Sequence, residues 1–410
     1  VTLGLLRALR NRGLRVASCK VGPDYIDPQF HAAATGRECL NLDLWAMGTA
    51  HCRWLLQHQA RHSDIVLVEG VMGLFDGPEG AAGSTADLAA ALDLPVLLVV
   101  DVAHQAQSVA ALVAGFAGFR SSVSVSGLFL NRVKSERHAR LLTEALDQSK
   151  LPVVGQLRQV DSLALPSRHL GLVQALENQT LEMTLESAAS GVARETSLDK
   201  ILEISALVSN HPADSRATLP PFAQNIAVAH DEAFSFAYAH LLAGWRDQGA
   251  ALSFFSPLAD EAPASGADAV FLPGGYPELH AGRLAANHRF LAGLRGFDGL
   301  IYGECGGYMV LGEDLTDANG VEHRMAALLP LRTSFRRRSL HLGYRQLRSL
   351  ASPWNMPLRG HEFHYASIIK EGEAGRLFAA ATAAGVDVPA MGLRRGNAMG
   401  SFAHIIGVAA

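Results

Sequence analysis

One cysteine stands between paired glycines in Gly303-Glu304-Cys305-Gly306-Gly307, behind the apolar run Leu300-Ile301-Tyr302 and ahead of the apolar segment Tyr308 to Leu311. The first run reads as a buried strand and the second as a helix. Cys305 therefore falls on a sharp strand-to-helix turn, the arrangement that holds a nucleophile exposed at the carboxyl end of a sheet. Glycines flank such a turn because a Cβ would clash there. A helix amino terminus behind the thiol would favour thiolate over thiol. The competing reading is a buried cysteine beside a tight turn, which is how most lone cysteines behave. The paired glycines and the strand-turn-helix context favour the nucleophile. It needs a base, and His361, His364 and His404 are candidates among 17 histidines. It also needs oxyanion donors. Gly274 and Gly275, after the apolar run Ala269 to Leu272, can present backbone N–H groups, with another from Gly306; a plain tight turn would look the same.

A second set of chemical residues is acidic. Asp24 and Asp27 follow the run Val16 to Val21, and Glu69 and Asp76 follow Ile65 to Val68. Carboxylates gathered at strand ends could hold Mg²⁺ with phosphate oxygens. Taken singly, each is also an ordinary turn or cap residue.

The elements that must position these groups follow a strand–helix rhythm. Strands are expected at Val16–Val21, Ile65–Val68, Val96–Val100, Val123–Leu130 and Val153–Leu157. Helices are expected at Thr85–Leu92, Ser108–Gly115 and Arg137–Leu146. That rhythm implies a parallel α/β sheet covered on both faces. Ser167 to Gly171 reads as a turn before a helical stretch Leu172–Leu176, with Arg168 and His169 open to an anionic substrate or to a surface role. Gln179 to Leu202 looks helical. Residues 209–215 and Pro220-Pro221 read as a linker. A second sheet is expected at Ile226–Ala229, Ala251–Phe255 and Ala269–Leu272. The domains are then 1–200, a linker 201–222, and 223–410.

At 410 residues the chain is too long for one ordinary core, and 49% hydrophobic with 18% charged residues suits a soluble globular enzyme. A net charge of −4 argues against a nucleic-acid partner. The run Arg336-Arg337-Arg338 reads as a solvated face or an anionic-substrate contact. Four cysteines, with no C-x-x-C pair, suit neither a zinc site nor a disulfide framework and point to a reducing cytoplasm. No apolar run reaches membrane-spanning length.

Longer motifs carry a resemblance. Val21-Gly22-Pro23-Asp24-Tyr25-Ile26-Asp27-Pro28, Asn41-Leu42-Asp43, Glu69 to Gly77, Leu130-Asn131-Arg132-Val133 and Leu165 to Leu172 resemble the cobyrinate a,c-diamide synthase family. Phe255 to Asp260, Leu272 to Glu278, Glu304-Cys305-Gly306-Gly307 and Gly360-His361-Glu362-Phe363-His364-Tyr365 match it in the same order, over essentially the whole chain. The hydrogenobyrinate-specific branch is built alike. The resemblance implies an amino-terminal domain like dethiobiotin synthetase, with a P-loop for ATP, Mg²⁺ and the acidic residues Asp24, Asp27, Glu69 and Asp76. Among these, Glu69 and Asp24 are the expected metal ligands. It implies a class-I-like glutamine amidotransferase α/β domain behind it. Gly400-Ser401-Phe402-Ala403-His404 resembles the segment that carries the catalytic histidine, which makes His404 the expected base. The acid common two residues later is replaced by Ile406, a departure shared by amidotransferases of this class. A G-x-x-x-x-G-K-[ST] loop occurs nowhere in the 410 residues. The helix at Val1 stands where the helix after that loop would be, and the expectation is a chain clipped upstream of Val1.

The implied reaction is ATP- and glutamine-dependent amidation of the a and c acetate carboxylates of cobyrinate or hydrogenobyrinate, in cobalamin biosynthesis. L-glutamine is the nitrogen donor, and a homodimer is among the expected states. The alternatives are amidation of another tetrapyrrole such as a nickel sirohydrochlorin, the related cobyric acid synthase, or a P-loop-less non-catalytic remnant. The Val21–Pro28 motif argues against the second of these.

Overall fold

The structure, a computed structural model, describes residues 1–160, 165–168, 171–208 and 217–409. It divides the chain into two compact units. Unit 1 comprises Val1–Leu44, Thr49–Gly77 and Ala82–Asp214; unit 2 comprises Trp45–Gly48, Pro78–Ala81 and Ser215–Ala410.

Unit 1 is built on parallel strands. β1 (Val16–Val21), β2 (Leu40–Leu42) and β3 (Ile65–Glu69) form one sheet in the order β2-β1-β3. β4 (Val96–Asp101), β5 (Val125–Val133) and β6 (Val153–Arg158) form another in the order β4-β5-β6. All of these pairings are parallel. Among the described residues no strand pairs with the outer edge of β3 or of β4, yet Leu67 of β3 and Leu97 of β4 pack on one apolar cluster with Leu5, Ala8 and Phe129. Helices α1 (Thr2–Asn11), α2 (Asp27–Thr35), α3 (Leu44–Ala60), α4 (Thr85–Ala91), α5 (Val109–Gly118) and α6 (Glu136–Leu146) alternate with these strands. Ser84 begins α4 with a capping box, its side chain accepting from the Asp87 N–H.

Two expectations change here. β7 (Ser167–Arg168) and β8 (Gly171–Leu172) make a small antiparallel hairpin, followed by a 3₁₀ turn at Ala175–Glu177, where a helix over Leu172–Leu176 was expected. The helix expected over Gln179–Leu202 is two helices, α7 (Leu181–Glu195) and α8 (Leu198–Ile204). It breaks because Thr196 bridges to Gly155 of β6 and Ser197 caps α8.

Unit 2 centres on a mixed sheet. β9 (Asn225–Ala229), β10 (Ala251–Phe255), β11 (Ala269–Leu272), β12 (Leu300–Glu304) and β21 (Ala398–Ser401) run parallel in the order β10-β9-β11-β12-β21. The ladder continues antiparallel through β20 (Asp387–Arg395), β19 (Gly375–Thr382), β16 (His341–Ser349), β17 (Pro357–His364) and β22 (Ala403–Val408). A smaller sheet of β13 (Asp314–Thr316), β14 (Glu322–Arg324), β15 (Leu331–Ser334) and β18 (Ser367–Glu371) accompanies it. Only Phe402 separates β21 from β22. Consecutive Cα atoms lie about 3.8 Å apart, so the far edge of the ten-stranded ladder must curl back to its middle. That closure returns His404 to the neighbourhood of β12. Helices α9 (Ala239–Asp247), α10 (Ala281–Ala286), α11 (His288–Arg295) and α12 (Gly306–Leu311) complete the unit. Its core is continuous from Val270 and Leu272 through Ile301, Cys305 and Met309 to Leu331 and Phe402. Both units are therefore α/β with parallel sheets, the coarse architecture that the strand–helix rhythm implies.

Candidate active site

β12 is apolar until its last residue, because it lies inside the sheet between β11 and β21. The chain then turns abruptly. Cys305 has φ +46° and ψ −101°, a backbone conformation that L residues avoid. Its N–H donates to the Ser401 carbonyl (2.8 Å) on β21, its carbonyl accepts from Met309 (3.0 Å), and α12 begins at once. Those bonds hold the turn against its strain. A Cβ at Gly303 would meet the Gly307–Tyr308 peptide at 2.8 Å, and one at Gly307 would meet the Leu272 carbonyl at 2.0 Å. Only glycine fits either place.

The expected oxyanion residues gather at this turn. The point where a Cβ on Gly306 would stand is 3.0 Å from the Gly275 nitrogen, so the two backbones converge. Gly275 has φ +159°, and a Cβ there would lie 2.1 Å from the Ala233 carbonyl. Gly274 separates the reactive groups. Its missing Cβ would lie 2.3 Å from His404 Cε1, 3.0 Å from His404 Nε2 and 3.3 Å from Cys305 Cβ. Cys305, His404, Gly274, Gly275 and Gly306, picked out separately from the sequence, thus occupy one place.

The electrostatics differ from the thiolate expectation. Burial pushes the Cys305 thiol up, and Glu278, Glu362 and Glu304 push it further, against the Gly306 N–H. His404 is completely buried, and burial, with His361 and His364, lowers it to about 3 against a hydrogen bond with the Phe236 main chain. Both shifts favour the neutral thiol and the neutral imidazole.

Sequence reasoning missed Glu304. Its carboxyl, 2% exposed, accepts from the Tyr302 hydroxyl and the Ile405 N–H (3.0 Å each), and its Oε2 lies 3.6 Å from His404 Nδ1. The available signal was a carboxylate ending an otherwise apolar strand. His361 lies opposite His404 in the β17–β22 pairing. His364 stacks on Phe402 with ring centroids 3.8 Å apart. His341, Glu362 and His364 bring potential metal-ligand atoms within 4.8 Å of one another. Glu362, however, already accepts from Arg345 Nη2 (2.6 Å) and meets His364 Nε2 (3.0 Å), which describes a charge-balanced cluster.

In unit 1, Lys20 is 4% exposed and organises the expected acids. Its Nζ lies 2.6 Å from Asp27, 3.2 Å from Glu69 and 3.8 Å from Asp24. Burial alone would lower this lysine; Glu69, Asp27 and Asp24 outweigh it and raise the ammonium. His31 Nε2 meets Glu69 Oε2 at 2.7 Å. Against burial, the Cys39 and Glu69 contacts raise His31 to about 9. Burial would raise Glu69, but His31 and Lys20 hold it at about 2. Asp24 caps its own turn, accepting from Ile26 and Asp27 N–H, and is raised by burial and Asp27 to about 6. Asp76 accepts from the Gly73 N–H of its own loop (3.0 Å) and, among the described residues, makes no hydrogen bond or ion pair with the other three. Arg168 pairs with Glu177 (2.9 Å), and His169 lies outside the described residues. The Mg²⁺ expected at Glu69 and Asp24 does not fit these side chains as arranged. Glu69 is engaged by His31, Lys20 and Thr2, and Asp24 keeps one oxygen outside its turn.

Comparison with known proteins adds an independent line. Residues 225–409 match the model of a CobB/CobQ-like glutamine amidotransferase domain, and residues 24–167 match that of an AAA domain. A protein of Brucella anthropi named hydrogenobyrinate a,c-diamide synthase is 54% identical over 414 residues, spanning 99% of this chain and 94% of that protein. Proteins of the same name from Rhizobium meliloti and Rhodobacter capsulatus are 50% and 48% identical, each over 99% of this chain and 95% of their own length. Identity at this level over both units at once makes the chain a member of the hydrogenobyrinate a,c-diamide synthase family.

Proposed function

We propose that this chain is an ATP- and glutamine-dependent ligase that converts the a and c acetate carboxylates of hydrogenobyrinate to amides in cobalamin biosynthesis. The names of its relatives support the substrate. The observation that carries the nitrogen-supplying half is the strained Cys305 turn with His404 against the same missing Cβ of Gly274.

Cys305 Sγ attacks the side-chain carbonyl carbon of glutamine while His404 takes the thiol proton. The N–H groups of Gly275 and Gly306 stabilise the oxyanion. Collapse breaks the C–N bond, His404 returns the proton to the leaving amine, and ammonia departs from a thioester. Water then attacks, glutamate leaves and the thiol is restored. In unit 1, the acetate carboxylate attacks the γ-phosphorus of the substrate ATP, giving an acyl phosphate and releasing ADP. A free carboxylate is a poor acyl donor, whereas ammonia displaces phosphate readily. Asp24, Asp27 and Glu69, held by Lys20 near the carboxyl ends of β1 and β3, are with Asp76 the residues proposed for this activation step. No step is assigned to Mg²⁺. Four free thiols suit a reducing cytoplasm, and among the described residues no helix is long and apolar enough to cross a membrane.

Cys305→Ala tests this reading. Glutamine-dependent amidation of hydrogenobyrinate should be abolished while ammonia-dependent amidation persists. Loss of both would remove Cys305 from its role. Cobyrinate supplied in parallel, and amidated as fast, would refute the choice of ring.

A further inference from the structure

The side-chain position that usually orients the histidine of a Cys–His–Glu site is occupied here by Ile406, whose carbonyl is engaged by His240 Nε2 (2.8 Å). Glu304 reaches His404 from another direction. It is the residue immediately before Cys305, and one carboxyl group does two things. Oε1 accepts the Ile405 N–H, so it holds the main chain just past His404; Oε2 faces His404 Nδ1 at 3.6 Å. Tyr302 donates to Oε1 and fixes the carboxyl rotation. Hydrogen bonds in unliganded sites are often long and tighten on the reaction path.

We infer that Glu304 is the positioning acid of the glutaminase site: as a carboxylate it accepts the Nδ1–H of His404 and so leaves Nε2 as the base for Cys305. This rests on the proposed roles of Cys305 and His404. A neutral imidazole carries one proton. A carboxylate draws that proton to Nδ1 and leaves Nε2 free to accept from the thiol. A carboxylic acid at the same place donates to Nδ1 and leaves the proton on Nε2, where it blocks acceptance. The charge of Glu304 therefore gates the site.

Burial raises Glu304 to about 8, against the Ile405 N–H and the Tyr302 hydroxyl. The other titratable groups facing the pair are Tyr302, Cys305, His361 and His364, with Glu278 and Glu362 acting on Cys305. Tyr302 and Cys305 are pushed up, and His364 is pushed down. His361 lies at about 4 and His404 at about 3. Glutaminase activity should therefore rise with pH on a limb near 8 that belongs to Glu304.

The test is glutamate release by the full chain across roughly pH 6 to 9.5, for wild type, Glu304→Gln and Glu304→Asp, with ammonia-dependent amidation measured alongside. Glutamine at 304 keeps the shape and still accepts from Ile405 and Tyr302. Its amide, however, donates to Nδ1 and fixes the unproductive tautomer. Glu304→Gln should lower kcat by about 10²-fold or more, leave KM for glutamine within about threefold, and erase the limb. Aspartate should restore part of the rate and the limb. Ammonia-dependent amidation should persist. A Glu304→Gln protein with wild-type kcat, or with lost rate but an unchanged limb, overturns the inference. If that variant does not fold, Tyr302→Phe decides: it removes a bond that lowers Glu304, so the limb should move to higher pH, and an unmoved limb counts against the role. Cys305→Ala separates the two claims. Its continued glutamine hydrolysis would sink the site itself, whereas an inert Cys305→Ala beside a wild-type-like Glu304→Gln sinks only the role of Glu304.

Discussion

Gly274→Ala is a one-methyl probe of the amidotransferase site. Gly274 does not need the left-handed region, so alanine is tolerated by its backbone and the effect is steric. The new Cβ would stand 2.3 Å from His404 Cε1. Carbon atoms in contact prefer about 3.5–4.0 Å, so the overlap exceeds about 1 Å. Gly274 cannot simply retreat, because its carbonyl accepts from the Phe236 N–H at 2.9 Å. His404 is fully buried, so its ring cannot escape to solvent without opening the core. The ring must shift by something near 1 Å, and a displacement of that size costs about 10²-fold in rate, or about 2.7 kcal/mol of barrier. Overpacking should also reduce stability by about 1–3 kcal/mol. The assay is glutamate release from glutamine, with ammonia-dependent amidation and urea unfolding measured on the same preparation. Gly244→Ala, in α9 with nothing within 4 Å of its added Cβ, is the matched control and should leave both activities unchanged. A Gly274→Ala protein with glutaminase kcat within threefold of wild type would refute the placement of His404 against Cys305.

In unit 1, Lys20→Met should destabilise the fold by about 3 kcal/mol at pH 7, because it strands three carboxylates around a missing cation. The penalty should shrink in acid as those carboxylates protonate. Urea unfolding at both pH values checks it, and a loss below about 1 kcal/mol at pH 7 would mean the cluster is not structurally coupled. His31 is raised in the fold to about 9 from an unfolded value of about 6.5. Its contribution is therefore complete below about 6.5 and fades as pH rises through 9, on the order of 3 kcal/mol in all. Subtracting the stability–pH curve of His31→Gln from that of wild type should reveal this decline; a flat difference would show that His31 does not hold its proton against Glu69.

The parallel strands of both units were legible because they are short, mostly apolar runs bounded by turn residues, even where, as in β10, the strand is largely exposed. Val16–Val21, Ala251–Phe255 and Ala269–Leu272 emerge with the bounds that their composition implies. The antiparallel half of unit 2 was not. β16 reads His-Leu-Gly-Tyr-Arg-Gln-Leu-Arg-Ser, and its polar content hides its pairing with β17 and β19. The site shows the same division. Cys305 and the glycines announce themselves by local turn chemistry. Glu304 and Lys20 do not, because their meaning depends on which strands become neighbours. The thiolate expectation was drawn from the local turn alone, whereas burial and three carboxylates, which are tertiary facts, push the Cys305 thiol up.

The backbone of Cys305 has a consequence for how such a chain evolves. A non-glycine residue at φ +46° and ψ −101° stores strain of about 1–3 kcal/mol. Glycine at 305 would relieve it and keep the bonds to Ser401 and Met309, which are made by backbone atoms, but would empty the space that the buried Cys305 side chain fills in the core. Backbone strain and side-chain packing therefore pull in opposite directions at this one position. A chain freed from the need to draw nitrogen from glutamine loses the chemical reason to hold that strain, whereas Gly303 and Gly307 stay fixed by the backbone packed against them.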